Sequence, residues 1–159
     1  EKLLLSPADG TISGIEDVDE PNFIGGKAKR IGIFLSVFNV HINRTPCKVR
    51  IENITYRPGK FINAMNPDCG NVNESNEIAM MRLPKPCEKL LVRQISGAIA
   101  RRIICDAERG QEFSGGAIFG MIKFGSRTEL YLPAGSPAKI CVKKGDKVKA
   151  GVTILAKYD

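Results

Sequence analysis

Tryptophan is absent from this 159-residue chain and aromatic residues make up only 6% of it. Stacking platforms of the kind that bind single-stranded nucleic acid are therefore not suggested. Histidine occurs once, as His41, which excludes any mechanism or metal site that needs two. The five cysteines, Cys47, Cys69, Cys87, Cys105 and Cys141, are widely spaced and include no Cys-x-x-Cys pair. An odd, dispersed set suits neither a zinc site nor a disulfide framework, and reduced thiols in a cytoplasmic setting fit it best. No signal peptide is visible, and no apolar run approaches the ~18 residues that would span a bilayer. The chain opens without Met on "EKLLLSPADG", already strand-like. The expectation is a processed or shortened amino terminus, with a preceding membrane segment left open.

Hydrophobic residues at 43% and charged residues at 26% are ordinary for a soluble globular protein, and the length suits one domain over residues 1–159. The net charge of +7 points to an anionic partner: nucleic acid, an anionic membrane or a phosphorylated small molecule. The basic residues are scattered apart from Lys143, Lys144, Lys147 and Lys149, a cluster whose plain reading is a solvated face.

Short apolar or alternating segments separated by Gly, Pro and Asn turns run the length of the chain. "KLLLS", "DGTISGIEDV", "RIGIFLSVF", "KVRIENITY", "EIAMMRL", "KLLVRQISG", "AIFGMIKF", "TELYLP", "AKICVKK" and "VTILAKY" all read as strands. This pattern predicts a mainly β fold with little helix, a sandwich or barrel of short strands. "GAIARRIIC" is ambiguous, since Ile99, Ile103 and Ile104 fit a helical turn as well as a strand. Residues 58–76, rich in Asn, Gly and Pro, are expected to form a long surface loop. A faint echo links "SPADGTISGI" near the start to "VKKGDKVKAGVTIL" near the end. The latter resembles the turn that closes biotinyl and lipoyl carrier domains, although the lysine-bearing hairpin of those domains is missing.

Three candidate elements carry chemistry. Asp9 precedes Gly10 in "SPADG", where a turn former alone would explain it. His41 sits in "FLSVFNVHINRTP", on the face opposite Phe34 and Phe38 by strand alternation, with Asn39, Asn43 and Arg44 making its surroundings polar. A satisfied structural histidine is the plain reading there. Gly125-Ser126 interrupts the strand-like run "MIKFGSRTELYLP", which a bulge or tight corner would explain.

Taken together, the stretches "SPADGTI", "IGIFLSVFNVHINRTP", "YRPGKFINA", "NESNEI", "VRQISGAIARRIIC", "FGMIKFGSRTELYLP" and "VKKGDKVKAGVTILA" closely resemble phosphatidylserine decarboxylases of the short prokaryotic form. They run in order over nearly the whole chain, and "KFGSRTELYLP" is the most specific. The resemblance implies pyruvoyl-dependent decarboxylation of phosphatidylserine to phosphatidylethanolamine. It also implies self-cleavage at Gly125-Ser126 into fragments 1–125 and 126–159, held together as a non-covalent heterodimer.

The residue types suit that chemistry. Ser126 Oγ must reach the carbonyl of the preceding residue, and Gly125 leaves the approach clear and tolerates strain. The ester so formed eliminates across Cα–Cβ, and hydrolysis leaves a pyruvoyl group where Ser126 stood. A ketone there binds the substrate amine and takes up electrons as CO2 leaves, so no external cofactor and no metal are expected.

By the same resemblance Asp9 and His41 are the candidates for proton transfer. Longer family members carry His-x-x-His, whereas this chain reads His41-Ile42-Asn43-Arg44. Arg44 then becomes a candidate for binding the substrate carboxylate or phosphate, since its planar fork suits both. The division of labour among Asp9, His41 and Arg44 stays open. The implied partner is phosphatidylserine in an anionic membrane, with the protein peripheral on the cytoplasmic side of the cell membrane. No nucleic acid is expected, and a homo-oligomer stays open. The rival reading is a non-enzymatic hybrid-barrel carrier or phosphotransfer module. The absent lysine hairpin and the single histidine both count against it.

Overall fold

The computed structural model describes residues 1–35, 42–60, 65, 73–97, 103–122 and 126–159. Its strands, in chain order, begin with β1 (Leu3–Leu5), β2 (Gly10–Glu20), β3 (Gly26–Leu35), β4 (Ile42–Arg44) and β5 (Val49–Arg57). Next come β6 (Ser75–Arg82), β7 (Lys89–Ile95), β8 (Ile103–Cys105), β9 (Glu112–Phe113) and β10 (Ile118–Ile122). The last are β11 (Ser126–Pro133), β12 (Lys139–Ile140), β13 (Lys147–Val148) and β14 (Ile154–Lys157). Among the described residues no helix is long and apolar enough to cross a membrane.

An eight-stranded sheet runs in the order β13-β2-β3-β11-β7-β6-β5-β9. Two three-stranded sheets, β1-β14-β12 and β4-β10-β8, accompany it. One face of the large sheet carries Ile12, Ile31, Ile33, Ile51, Ile78, Met80, Val92, Leu130 and Leu132 into the main core. Phe119 and Ile122 of β10, Leu4 of β1 and Leu155 of β14 join the same core, so both small sheets pack on that face. This is the layered, mainly β arrangement that the sequence predicts. The large sheet ends on two different strands, β13 and β9, and is open, not a closed barrel.

The alternation of "KVRIENITY" survives as Val49 and Ile51 turned inward. β11 differs: every residue from Ser126 to Leu132 is buried, because strands flank it on both sides and its two faces are both covered. Its register is full against β3, from Ser126 opposite Leu35 to Pro133 opposite Ala28, and against β7 from Arg127 opposite Ile95 to Tyr131 opposite Leu91.

The echo between the two ends of the chain has a structural counterpart, since the two stretches bond to each other. β13 pairs with β2, Ile12 N–H donates to Asp146 O at 2.8 Å, and Gly151 N–H donates to Ser6 O at 2.8 Å. The carrier-like turn closes through Gly145, whose φ of +94° lies in the left-handed region open to glycine.

Three sequence expectations need correction or completion. "MIKFGSRTELYLP" is not one strand with a bulge: β10 ends at Ile122 in a small sheet and β11 begins at Ser126 in the large one. The chain changes sheets there, and the apolar runs on either side serve two packed layers. The stretch 58–76 is not loop to its end. Lys60 bridges Asn73, β6 starts at Ser75, and Asn73, Ser75 and Asn76 are buried. "GAIARRIIC" resolves to strand where it is described, at Ile103–Cys105. His41 and Gly125 lie outside the described residues.

Candidate active site

Ser126 is the first residue of the central strand β11, opposite Leu35 at the end of β3. It is fully buried, and its Oγ has no hydrogen-bond partner among the described residues. An unsatisfied buried hydroxyl costs about 1–3 kcal/mol, so a folded protein keeps one only where something else requires it. Ser126 Oγ is thus enclosed at a strand end with no bond to any described residue.

Asp9 lies in the bend between β1 and β2, and Arg44 closes β4. They share a cleft of about 200 Å³ with Ile42, Lys149, Ala150 and Val152. Asp9 Oδ1 accepts the Ala150 N–H at 2.7 Å, which fixes the carboxylate against the turn before β14. Arg44 Nη1 donates to Gly116 O at 2.8 Å. A Cβ on Gly151 would come within 2.7 Å of Arg44 Cδ, so this turn closes over the arginine only because residue 151 has no side chain. Gly10, beside Asp9, serves a similar purpose: a Cβ there would meet Phe34 O at 2.2 Å. The structure thus brings Asp9 and Arg44 together.

The tie between that cleft and the Ser126 strand is Asn43, which the sequence reading noted only as a polar neighbour. Asn43 is fully buried and its Nδ2 donates to Pro7 O and to Thr128 Oγ1, each at 3.3 Å. Its Oδ1 accepts from Gln94 Nε2 at 2.9 Å. Gln94 also donates to Ile104 O at 3.0 Å and accepts from Asn76 Nδ2 at 3.1 Å. Pro7 belongs to "SPADG", Asn43 to "HINR" and Thr128 to "GSRT", so one side chain touches all the stretches that carry candidate residues. Thr128 lies two residues beyond Ser126 on the same face of β11. The signal for this web was polar residues standing inside otherwise apolar strands.

On the other face of β11 stands a second group missed in the sequence. Glu129 is 1% exposed and lies 3.1 Å from Arg93 Nη1, 3.0 Å from Arg127 Nη2 and 3.7 Å from Arg30 Nε. Tyr131 donates its hydroxyl to Glu129 Oε1 at 2.7 Å. Burial, reinforced by the Glu129 carboxylate, pushes the Tyr131 phenol up to about 12. A broader cleft of about 700 Å³, lined by Arg30, Arg57, Glu77, Arg93 and Tyr131 among others, opens on this face. Within it Arg57 and Arg93 both pair with Glu77, and it holds none of the candidate residues Asp9, Arg44 and Ser126. Size alone does not make it the site. Among the described residues no group of three or more His, Cys, Asp or Glu side chains is placed to hold a metal ion.

Comparison with known proteins agrees with this arrangement of motifs. The family model for phosphatidylserine decarboxylase matches residues 1–156. A phosphatidylserine decarboxylase proenzyme of Carboxydothermus hydrogenoformans is 41% identical over 157 residues, covering 99% of this chain and 72% of its own length. The proenzyme of Rhodopirellula baltica is 45% identical over 156 residues, covering 98% of this chain and 64% of its own length. That of Desulfotalea psychrophila is 43% identical over 152 residues, covering 96% and 69% respectively. With the match running from the first strand into the last, the chain belongs to the phosphatidylserine decarboxylase family.

Proposed function

We propose that this chain is a carboxy-lyase that converts phosphatidylserine to phosphatidylethanolamine after cutting itself between Gly125 and Ser126. The observation that carries the reading is the buried Ser126 hydroxyl at the start of the central strand, which has no hydrogen-bond partner among the described residues. In the cut, Ser126 Oγ adds to the Gly125 carbonyl and the Ser126 nitrogen leaves as an amine, converting the amide to an ester. Elimination across Cα–Cβ then frees the Gly125 carboxylate, and water replaces the nitrogen, which departs as ammonia. A pyruvoyl group left at residue 126 would supply the electron sink for loss of CO2.

The chain's own residues do the rest. β3 and β7 grip β11 from both sides by backbone hydrogen bonds, which supports a heterodimer of 1–125 and 126–159 that stays assembled. Asp9 and His41 are assigned to proton transfer, and Arg44 to the substrate carboxylate or phosphate. Arg44 retains guanidinium N–H groups beyond the one given to Gly116. A lipid substrate supports work at a membrane, and the reading includes a peripheral position on the cytoplasmic side.

Intact-mass analysis tests the proposal. The wild-type protein should resolve into two fragments, the shorter carrying a pyruvoyl cap. Ser126→Ala should remain whole and release no CO2 from phosphatidylserine. A Ser126→Ala protein that still decarboxylates would sink the assignment.

A further inference from the structure

We propose that the surface formed by Ile42, Ile118, Met121 and Val152 is the face that lies against an anionic phospholipid bilayer. The choice of a bilayer as occupant rests on the lipid substrate proposed above. Among the described residues the exposed large apolar side chains are Tyr56, Met65, Ile118, Met121 and Val152, with Ile118 at 53%, Met121 at 36% and Val152 at 69%. Scattered singly these would need no explanation, but the last three converge. In the small sheet Met121 stands opposite Ile42, and Ile118 opposite Arg44. Arg44 packs against Gly151, the neighbour of Val152, and Ile42, Arg44 and Val152 line one cleft.

The rim is basic on the Val152 side. Lys147 and Lys149 are exposed on either side of buried Val148. Lys149 lines the cleft beside Val152. Of the acids near by, Asp9 takes the Ala150 N–H and Asp146 the Lys143 N–H, while Asp106, whose N–H donates to Phe119 O beside Ile118, is an exposed carboxylate at the opposite edge of the patch. An apolar patch bordered by Lys147 and Lys149 on the Val152 side fits a surface whose outer layer is anionic and whose interior is hydrocarbon. A bilayer on this face would deliver a headgroup directly to the cleft that holds Asp9 and Arg44.

The chain contains no tryptophan, so one introduced residue is a clean reporter. Val152→Trp and, as control, Tyr56→Trp on the far side of the large sheet would be mixed with phosphatidylcholine vesicles, with and without phosphatidylglycerol. The phosphatidylcholine carries brominated chains as a quencher. Val152→Trp should shift to the blue and be quenched only when phosphatidylglycerol is present, while Tyr56→Trp stays in water. An unshifted Val152→Trp, or equal quenching at both positions, overturns the proposal.

Should the tryptophan variant fail to fold, sedimentation of Lys147→Ala/Lys149→Ala with the same anionic vesicles decides. Each lysine near an anionic leaflet contributes ~1 kcal/mol, so partitioning should fall about 5-fold per lysine and roughly 30-fold for the pair. Partitioning equal to wild type overturns the proposal. Neither readout uses decarboxylation. CO2 release without binding through this face removes the docking surface alone, and binding without CO2 release removes the proposed reaction alone.

Discussion

Replacing Asn43 by Ala would test whether one buried amide assembles the site. The substitution deletes two donated bonds of 3.3 Å, to Pro7 O and Thr128 Oγ1, and one accepted bond of 2.9 Å from Gln94. Two of the partners keep a second bond: Pro7 O accepts the Arg44 N–H at 3.0 Å, and Gln94 Nε2 reaches Ile104 O at 3.0 Å. Only the Thr128 hydroxyl is left with no other side-chain bond among the described residues. At a net ~0.5–1.5 kcal/mol for each bond, with the two long ones at the low end, the loss is about 2–3 kcal/mol. The denaturant midpoint should fall by that amount with the slope unchanged. Thr128→Val, which removes a single long bond, should cost under about 1 kcal/mol.

The function-specific reading of Asn43→Ala is the self-cleavage rate, followed by gel at a temperature where the variant is fully folded. Freeing β4 from the strand that starts at Ser126 should slow cleavage on the order of 10- to 100-fold, the scale of a sub-ångström to one-ångström misplacement of reacting groups. A variant that loses stability but cleaves at the wild-type rate would show that Asn43 is only a core polar residue. One that loses neither would refute the reasoning altogether.

Two further outcomes concern the opposite face of the sheet. Glu129→Ala leaves Arg93 and Arg127, both nearly buried, without their shared carboxylate and should destabilise by ~3–5 kcal/mol, measured by chemical denaturation. Tyr131 gives an alkaline transition. Its folded value of about 12 stands above the ordinary 10.0, so the folded protein holds the proton more tightly than the unfolded chain. That stability, about 2–3 kcal/mol, is complete below pH 10 and drains away as pH rises toward 12, which unfolding curves and phenolate absorbance would follow together.

Alternation and turn residues carry most of the fold because the long strands bury one face: Val49 and Ile51 in β5, or Ile31 and Ile33 in β3, could hardly sit otherwise. Two of the short strands were not legible. β9 (Glu112–Phe113) and β13 (Lys147–Val148) have no room for a period, and they exist because an edge offers unpaired backbone groups to whatever chain passes. β11 misled in a different way, since a strand covered on both faces has no alternation to show where it begins.

The candidate residues Asp9, His41, Arg44 and Ser126 were singled out through family resemblance, not through spacing. What brings Asp9 to Arg44 is the pairing of the chain's two ends, a contact of very long sequence separation that no local pattern encodes. Asn43, Gln94 and Glu129 stayed hidden for a related reason. A polar residue in an apolar run reads as a surface position until its partners, on other strands, are known.

The strand order also governs what happens to the molecule over its lifetime. Every strand beyond residue 125 except β12 takes a partner from before it: β11 joins β3 and β7, β13 joins β2, and β14 joins β1. A cut at Gly125-Ser126 breaks none of these pairings, so the sheet is the same on either side of the event. Refolding is not. Before the cut, unfolding and refolding are unimolecular and indifferent to dilution; afterwards unfolding is dissociation, and recovery requires a short fragment to find the gap between two strands of another chain. The proposed maturation would therefore work as a ratchet. On the proposed cleavage, the protein would fold once as a single chain, and from then on its persistence would depend on its concentration and on how slowly β11 is released.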